Sequence, residues 1–137
     1  MRVKIHTILP DSARDIRIAV FTDEQGFKDE FDALDAIAAH FVAFDEQTPV
    51  ATCRTWLADD GYHLGRLAVL KSHRGQGLGA RMLQEAEDYV KSIGGESISL
   101  HAQCRAEAFY RKSGYSPYGE MDYDEGVEHI HMSKILK

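Results

Sequence analysis

Leu67-Ala68-Val69-Leu70-Lys71-Ser72-His73-Arg74-Gly75-Gln76-Gly77-Leu78-Gly79-Ala80 is an apolar run that breaks into a short polar loop and reopens on glycines. Glycine lets a backbone turn its N–H groups toward one point, and the missing side chains leave room for a ligand to come close. From Leu78 onward the chain has the pattern of an amphipathic helix, whose N-terminus adds about half a positive charge. Phosphate oxygens are the natural occupants of such a nest, and Arg74 offers them a forked cationic contact. A bare connecting turn would spend three glycines in five positions with no return in stability. A nucleoside triphosphate loop would need a Lys-Ser/Thr pair, whereas Gly79 is followed by Ala80-Arg81. Gly75, Gly77 and Ala80 do satisfy the dinucleotide fingerprint, but that fingerprint needs an acidic residue closing the next strand; Glu96 lies before its strand.

Outward from the loop, Leu78, Met82, Leu83, Ala86, Val90 and Ile93 share one helical face, and Arg81, Gln84, Glu85 and Asp88 the other. Gly94-Gly95 closes that helix. A strand comes next over Ser97–Gln103, then a short helix over Ala106–Ser113, a strand over Tyr115–Met121 and a last strand over His129–Leu136. Upstream, Leu64–Leu70, Val50–Leu57 and His40–Asp45 read as strands, with Asp59-Asp60-Gly61 and Asp45–Pro49 as turns. Before them comes a short helix near Asp32–Ala39. A first helix is opened by the capping-box pair Ser12 and Asp15; it buries Ile16, Ala19 and Val20 and runs into the acidic turn Asp23-Glu24-Gln25-Gly26. Val3, Ile5 and Thr7 alternate in a first strand that ends by Pro10. The order β-α-α-β-β-β-α-β-α-β-β is a mixed α/β sheet, antiparallel in its first half. One right-handed parallel crossover runs through the long helix.

The whole chain sets bounds on partners. It has 137 residues, with 16 Lys and Arg against 22 Asp and Glu, a net charge of −6. That balance argues against nucleic acid, which selects local or net positive charge. Hydrophobic residues at 44% and charged residues at 28% are globular proportions, and no repeat or linker marks a domain boundary, so one domain over 1–137 is expected. No apolar run is long enough for a membrane span, and no signal-like segment comes after Met1. Cys53 and Cys104 make no metal-type pair and read as reduced core thiols of a cytoplasmic protein.

Taken as Arg-x-x-Gly-x-Gly, the residues Arg74, Gly77 and Gly79 resemble the acyl-CoA site of the GNAT superfamily of N-acetyltransferases. Phe109-Tyr110 and Gly114-Tyr115 fall in the same family order, and the resemblance covers nearly the whole chain. Arg17, Val20-Phe21, Glu24-Gln25, Asp32 and Asp35 before His40, Ala102-Gln103 and Gly126 through Met132 resemble a narrower ElaA-like subgroup. The resemblance implies the GNAT acyl-CoA N-acyltransferase fold, an antiparallel N-terminal meander with one βαβ crossover and splayed central strands. It implies acetyl-CoA as cosubstrate and an amine acceptor, small molecule or peptide, with a homodimer possible. Backbone at Leu67, Ala68 and Val69 would take the pantetheine arm. Arg74, Gly75, Gln76, Gly77, Leu78, Gly79 and Ala80 would surround the pyrophosphate. His101 would stand beside the cofactor, where Asn would suit the family better.

An amine attacks a thioester only when neutral, so such a site needs a base or a desolvating pocket, and an acid for the departing thiolate. The resemblance makes Tyr110 the acid. Glu24 is the expected base and acceptor-wall residue, with Asp35, His40 and His101 as rivals; Asp35 and Arg66 are expected at the acceptor. Arg54 and Arg66 interrupt strands, either as snorkelling edge residues or as charges aimed at an acidic acceptor. His129-x-His131 has metal-ligand spacing, but no third ligand is evident in the sequence and no metal is expected. Cys104 could carry an acetyl group, yet direct transfer in a ternary complex is simpler. The competing readings are a catalytically silent acyl-CoA sensor and a dinucleotide-dependent oxidoreductase.

Overall fold

In the computed structural model, which describes residues 1–28 and 31–137, three adjoining hairpin-linked strands build half of a sheet before the chain crosses over. The strands are β1 (Arg2–His6), β2 (Ala39–Asp45), β3 (Thr48–Ala58), β4 (Gly61–Val69), β5 (Ser97–Gln103), β6 (Ser116–Asp124) and β7 (Val127–Ile135). They form one sheet in the order β1-β2-β3-β4-β5-β7-β6, antiparallel throughout except between β4 and β5. The helices are α1 (Asp11–Arg17), which widens into a π-type turn over Ile18–Glu24, α2 (Leu78–Ser92) and α3 (Glu107–Lys112); a 3-10 turn spans Ala33–Ala36. No helix among the described residues is long and apolar enough to cross a membrane.

Each sheet face is covered by one helix layer. On one side α2 sets Leu78, Met82, Leu83, Ala86 and Val90 against Phe41, Ala51, Leu64, Ile98, Leu100 and Met132, all buried. On the other, Ala13, Ile16 and Val20 pack on Val42 and Ala68. Ile93, expected on the buried face of α2, is half out of the core because the helix ends at Ser92.

Several boundaries differ from the sequence expectation for identifiable reasons. β1 stops at His6, paired with His40, and Thr7 already lies outside the strand. Pro10, extended at φ −82 and ψ 156, takes the N-cap of α1, so Ser12 is already inside the helix and the Ser12–Asp15 box does not form. A capping box does form at the 3-10 turn, where Asp32 accepts from Leu34 N–H and Asp35 from Asp32 N–H. Ala19 is only half-buried. β7 begins earlier than His129 because Glu125 and Gly126, both at positive φ, make a two-residue turn straight out of β6.

The irregularities that matter lie in β4. Its pairing with β5 consists of Tyr62, His63 and Leu64 opposite Ile98, Ser99 and Leu100. Beyond Leu64 the register with β3 slips, so that Arg54 faces Gly65 while Thr52 faces Ala68. The extra residue is absorbed around Arg66, at φ 51. A bulge bends its strand and sharpens its twist, and β4 leaves β5 at the point where the bulge sits. The two parallel strands therefore splay apart toward their C-terminal ends.

Candidate active site

Two spaces open at this splay. A cavity of about 610 Å³ is lined by Leu64–Leu67 of β4, Leu100–Gln103 of β5, Tyr110 of α3, Trp56 and Arg54 of β3, and His129 and His131 of β7. A second, of about 530 Å³, runs along Leu67, Ala68 and Val69 to Arg74, closed on its outer side by Val20, Glu24 and Gln25. Gln25, Phe27, Leu67 and Arg105 line both. The expected cofactor strand, Leu67–Val69, thus stands with its β5-side edge released from the sheet.

The loop after β4 has the expected conformation. Gly75 and Gly77 sit at φ 77 and 78, where a side chain would be strained, with open space where a Cβ would go. Gly77 is the N-cap of α2 and no side chain caps that helix, leaving the first-turn amides of Leu78, Gly79 and Ala80 without an intrahelical acceptor. Gly79 has a different reason to be glycine: a Cβ there would lie 3.0 Å from Phe109 Cζ, so α2 and α3 pack through it. Gln76 completes the turn between Gly75 and Gly77. The residues present fit a pyrophosphate.

Arg74 is held ready by two contacts. Its Nε donates to Val69 O at 2.9 Å, and its two terminal nitrogens grip the Glu24 carboxylate at 2.9 and 2.6 Å. The fork that suits a diphosphate is therefore filled by a carboxylate. That hydrogen-bonded guanidinium holds the Glu24 carboxyl below the ordinary range. The π-type turn makes the contact possible: Gln25 N–H reaches back five residues to Val20 O, and the widened turn carries Glu24 to Arg74 while Gln25 accepts from Gln103 of β5 at 2.8 Å. One turn so bridges the mouth of the splay. Glu24, expected on the acceptor wall, lines the slot along Leu67–Val69 and not the larger cavity.

Tyr110 comes from α3 to the wall of the larger cavity, packed edge-on to Phe109 and Tyr115. Burial holds its hydroxyl above the ordinary phenol range, so it stays protonated at any working pH. His101 turns away from the slot into the large cavity, where its Nε2 donates to Asp122 at 2.6 Å. Expected beside the cofactor, it lines the larger cavity and not the slot along Leu67–Val69.

The interior arginines form one network. Arg17 and Arg54, 1% and 2% exposed, converge on Asp35, and Arg54 also grips Asp32 with both terminal nitrogens. Arg54, expected as a snorkelling edge residue or a charge aimed at the acceptor, is buried and paired with both aspartates while lining the larger cavity. Burial pushes the Asp35 carboxyl up, but the Arg17 hydrogen bond and both guanidinium charges outweigh it and hold it at about 2. Asp35, expected at the acceptor, sits behind the wall as a structural counter-ion; Asp32 and Arg66 line the cavity, 3.4 Å apart. His40 is buried, donates to Asp35 O, and is kept neutral by its desolvation. Of the rival bases, then, two are committed to structure. Cys104 is made a poorer nucleophile by desolvation and by the nearby Glu128, Glu107 and Asp122 carboxylates. The sequence did not point to Trp56, which lies over Gly65 with its ring 3.2 Å from where a Cβ would be and so forms the cavity floor. The glycine interrupting an apolar strand was its only signal.

Comparison with known proteins agrees with this geometry. Residues 11–136 match the family described as the acetyltransferase (GNAT) domain. The chain is 37% identical over 123 residues to the uncharacterized N-acetyltransferase YjcF of Bacillus subtilis, covering 87% of each. Among solved structures it superposes on Escherichia coli ElaA with a TM-score of 0.86 at 23% identity, covering 97% of this chain and 98% of that one. An aminoglycoside 6'-N-acetyltransferase solved with coenzyme A gives a TM-score of 0.80 at 18% identity, over 100% and 98% of the two chains.

Proposed function

The chain belongs to the GNAT acetyltransferase family, and on that premise we propose that it transfers the acetyl group of acetyl-CoA to a primary amine by direct attack in a ternary complex. The observation that carries this reading is the splay itself. A released strand edge runs along one space to Arg74, which leads into the glycine turn and the uncapped helix N-terminus, and a separate cavity meets that space at Gln25, Phe27, Leu67 and Arg105.

Acetyl-CoA supplies the activated acyl carbon. Arg74, the amides of Leu78–Ala80 and the turn at Gly75–Gly77 would hold its pyrophosphate, and Leu67–Val69 its pantetheine arm. The apolar walls at Phe21, Leu64, Leu67 and Leu100 disfavour an ammonium ion and so favour the neutral amine. As the carbon–nitrogen bond forms and the carbon–sulfur bond breaks, Tyr110 donates its hydroxyl hydrogen to the sulfur. The attacking nitrogen becomes acidic as its lone pair enters the new bond, and its surplus proton passes through solvent to Glu24, which lines the adjoining slot. Glu24 is available only after the pyrophosphate takes Arg74 from it, so donor binding arms the base. Amide and free thiol leave, and the Glu24 proton returns to Tyr110 through solvent.

Calorimetric titration with acetyl-CoA tests the donor half, with NADH and ATP as controls; a panel of amines assayed for thiol release tests transfer. Saturable acetyl-CoA binding with no response to NADH or ATP is expected, and binding of neither CoA nor acetyl-CoA would end the reading. Tyr110→Phe should lower kcat about 10²–10⁴-fold while acetyl-CoA affinity stays within a few-fold. Full turnover in that variant would remove Tyr110 from the chemistry. Tight binding with no turnover across the panel would turn the assignment to an acyl-CoA sensor.

A further inference from the structure

Beyond acyl transfer, the fold completes a ligand set that the sequence left at two histidines. His129 and His131 alternate onto one face of β7, and β5 places His101 directly opposite His131 in the antiparallel register. A carboxylate donor comes from β6. There the register with β7 passes from Tyr118 opposite His131 to Asp122 opposite His129, so Gly119, Glu120 and Met121 stand against Ile130 alone. Gly119, at φ 71, permits the kink. Bulges of this kind re-aim a side chain, and here the re-aimed residue is Asp122. Its carboxylate reaches His101 Nε2 at 2.6 Å with one oxygen and stands 3.8 Å from His131 Nε2 with the other.

We propose that His101, Asp122 and His131 form a binding site for a divalent first-row transition cation, with zinc the best fit. One donor atom from each lies within 4.8 Å of the other two. Ligand atoms on a tetrahedral zinc ion stand about 3.4 Å apart, given bond lengths of about 2.0–2.1 Å. Closing that gap requires side-chain rotation only, and all three side chains have room for it, being 35%, 50% and 41% exposed. The imidazole rings of His101 and His131 already stack at 4.4 Å between centroids, 19° from parallel, so their nitrogens come from neighbouring positions. His129 is engaged otherwise, its Nδ1 donating to Val127 O at 2.8 Å. Two imidazole nitrogens and one carboxylate select zinc, cobalt, nickel or iron over magnesium and calcium, which want oxygen. Three protein ligands leave coordination positions open, the pattern of a reactive or ligand-binding site rather than a closed structural one. His101 and His131 both line the 610 Å³ cavity, so the open positions face the space assigned to the acceptor.

The test uses the full chain, stripped with chelator and then titrated with Co²⁺, monitored by its visible d–d absorption, and with Zn²⁺, monitored by calorimetry. One equivalent is expected, with Mg²⁺ inert. Asp122→Asn and His131→Ala should each weaken Co²⁺ binding at least 10-fold, with far-ultraviolet circular dichroism unchanged. His73→Ala, which breaks the separate His73–Asp45 pair, should bind as the parent does. The site is refuted if neither ion binds saturably, if His131→Ala binds unchanged, or if Mg²⁺ binds as well as Zn²⁺. The readout is metal binding itself, so the result stands or falls apart from the acyl-transfer reading.

Discussion

Glu24 and Arg74 show how much one pair of side chains can decide. Fifty positions apart in sequence, they meet in a bidentate ion pair at 2.6 and 2.9 Å, across the opening that a diphosphate would enter. An exposed pair of this kind adds little to stability, and its effect is on exchange. A phosphate bound at Arg74 would have to displace the carboxylate, and the carboxylate, once displaced, would lose the partner that keeps its proton affinity low. Glu24→Gln should therefore tighten acetyl-CoA binding several-fold while lowering kcat, two effects of opposite sign. Tightening without loss of turnover would make Glu24 a counter-ion of Arg74 and nothing more; unchanged affinity would mean the pair does not compete with the phosphate. Equilibrium titration and single-turnover rates on the same preparation separate these results.

At the scale of elements, the site is a product of three local departures from regularity. The bulge at Arg66 pulls β4 off β5, the π-type turn after α1 swings Glu24 and Gln25 across the gap, and the glycines start α2 with bare amides. Gly77 allows the cost of one such departure to be separated from its use. Its φ of 78 strains any side chain, yet nothing lies within 4 Å of a Cβ there. Gly77→Ala should lose about 1 kcal/mol of stability in urea unfolding and keep acetyl-CoA affinity within a few-fold. Gly77→Glu carries the same strain and adds a carboxylate to the proposed phosphate site, so its acetyl-CoA binding should vanish. Equal affinities in the two variants would move the pyrophosphate elsewhere.

For the whole molecule, the Arg17–Asp35–Arg54–Asp32 network fastens α1 and the 3-10 turn to the sheet, and it sets the acid limit of the fold. Asp35 is held at about 2, below its ordinary value, so its contribution is complete above pH 4 and disappears as pH falls toward 2. The shift corresponds to roughly 2 kcal/mol. Asp35→Asn should cost about 2–4 kcal/mol at pH 7, because it leaves buried guanidinium charge under-compensated. The gap between variant and parent should narrow as pH is lowered from 4 to 2. A gap that stays constant over that interval, measured by urea unfolding at each pH, would assign the stability to packing instead.

Most elements and their order were legible from periodicity and turn signals: Ser97–Gln103 matches β5 and Leu78 opens α2, because alternation and the 3.6-residue repeat are local consequences of which face must leave water. The helix expected near Asp32–Ala39, by contrast, is only a 3-10 turn over Ala33–Ala36. The glycine loop was legible too, since positive φ demands glycine at Gly75 and Gly77 and the chain has it at both. Partnership was not. Asp35 and Glu24 look alike in sequence as exposed acids, and their environments separated only when Arg17 and Arg54 came from α1 and β3, and Arg74 from the loop before α2. His129-x-His131 offered two ligands, and the donors from His101 and Asp122 waited on the register of β5 and a bulge in β6. Local pattern depends on what each residue can do by itself; ion pairs, cavities and ligand sets depend on strand order and register, which bring together residues with no sequence relation to one another.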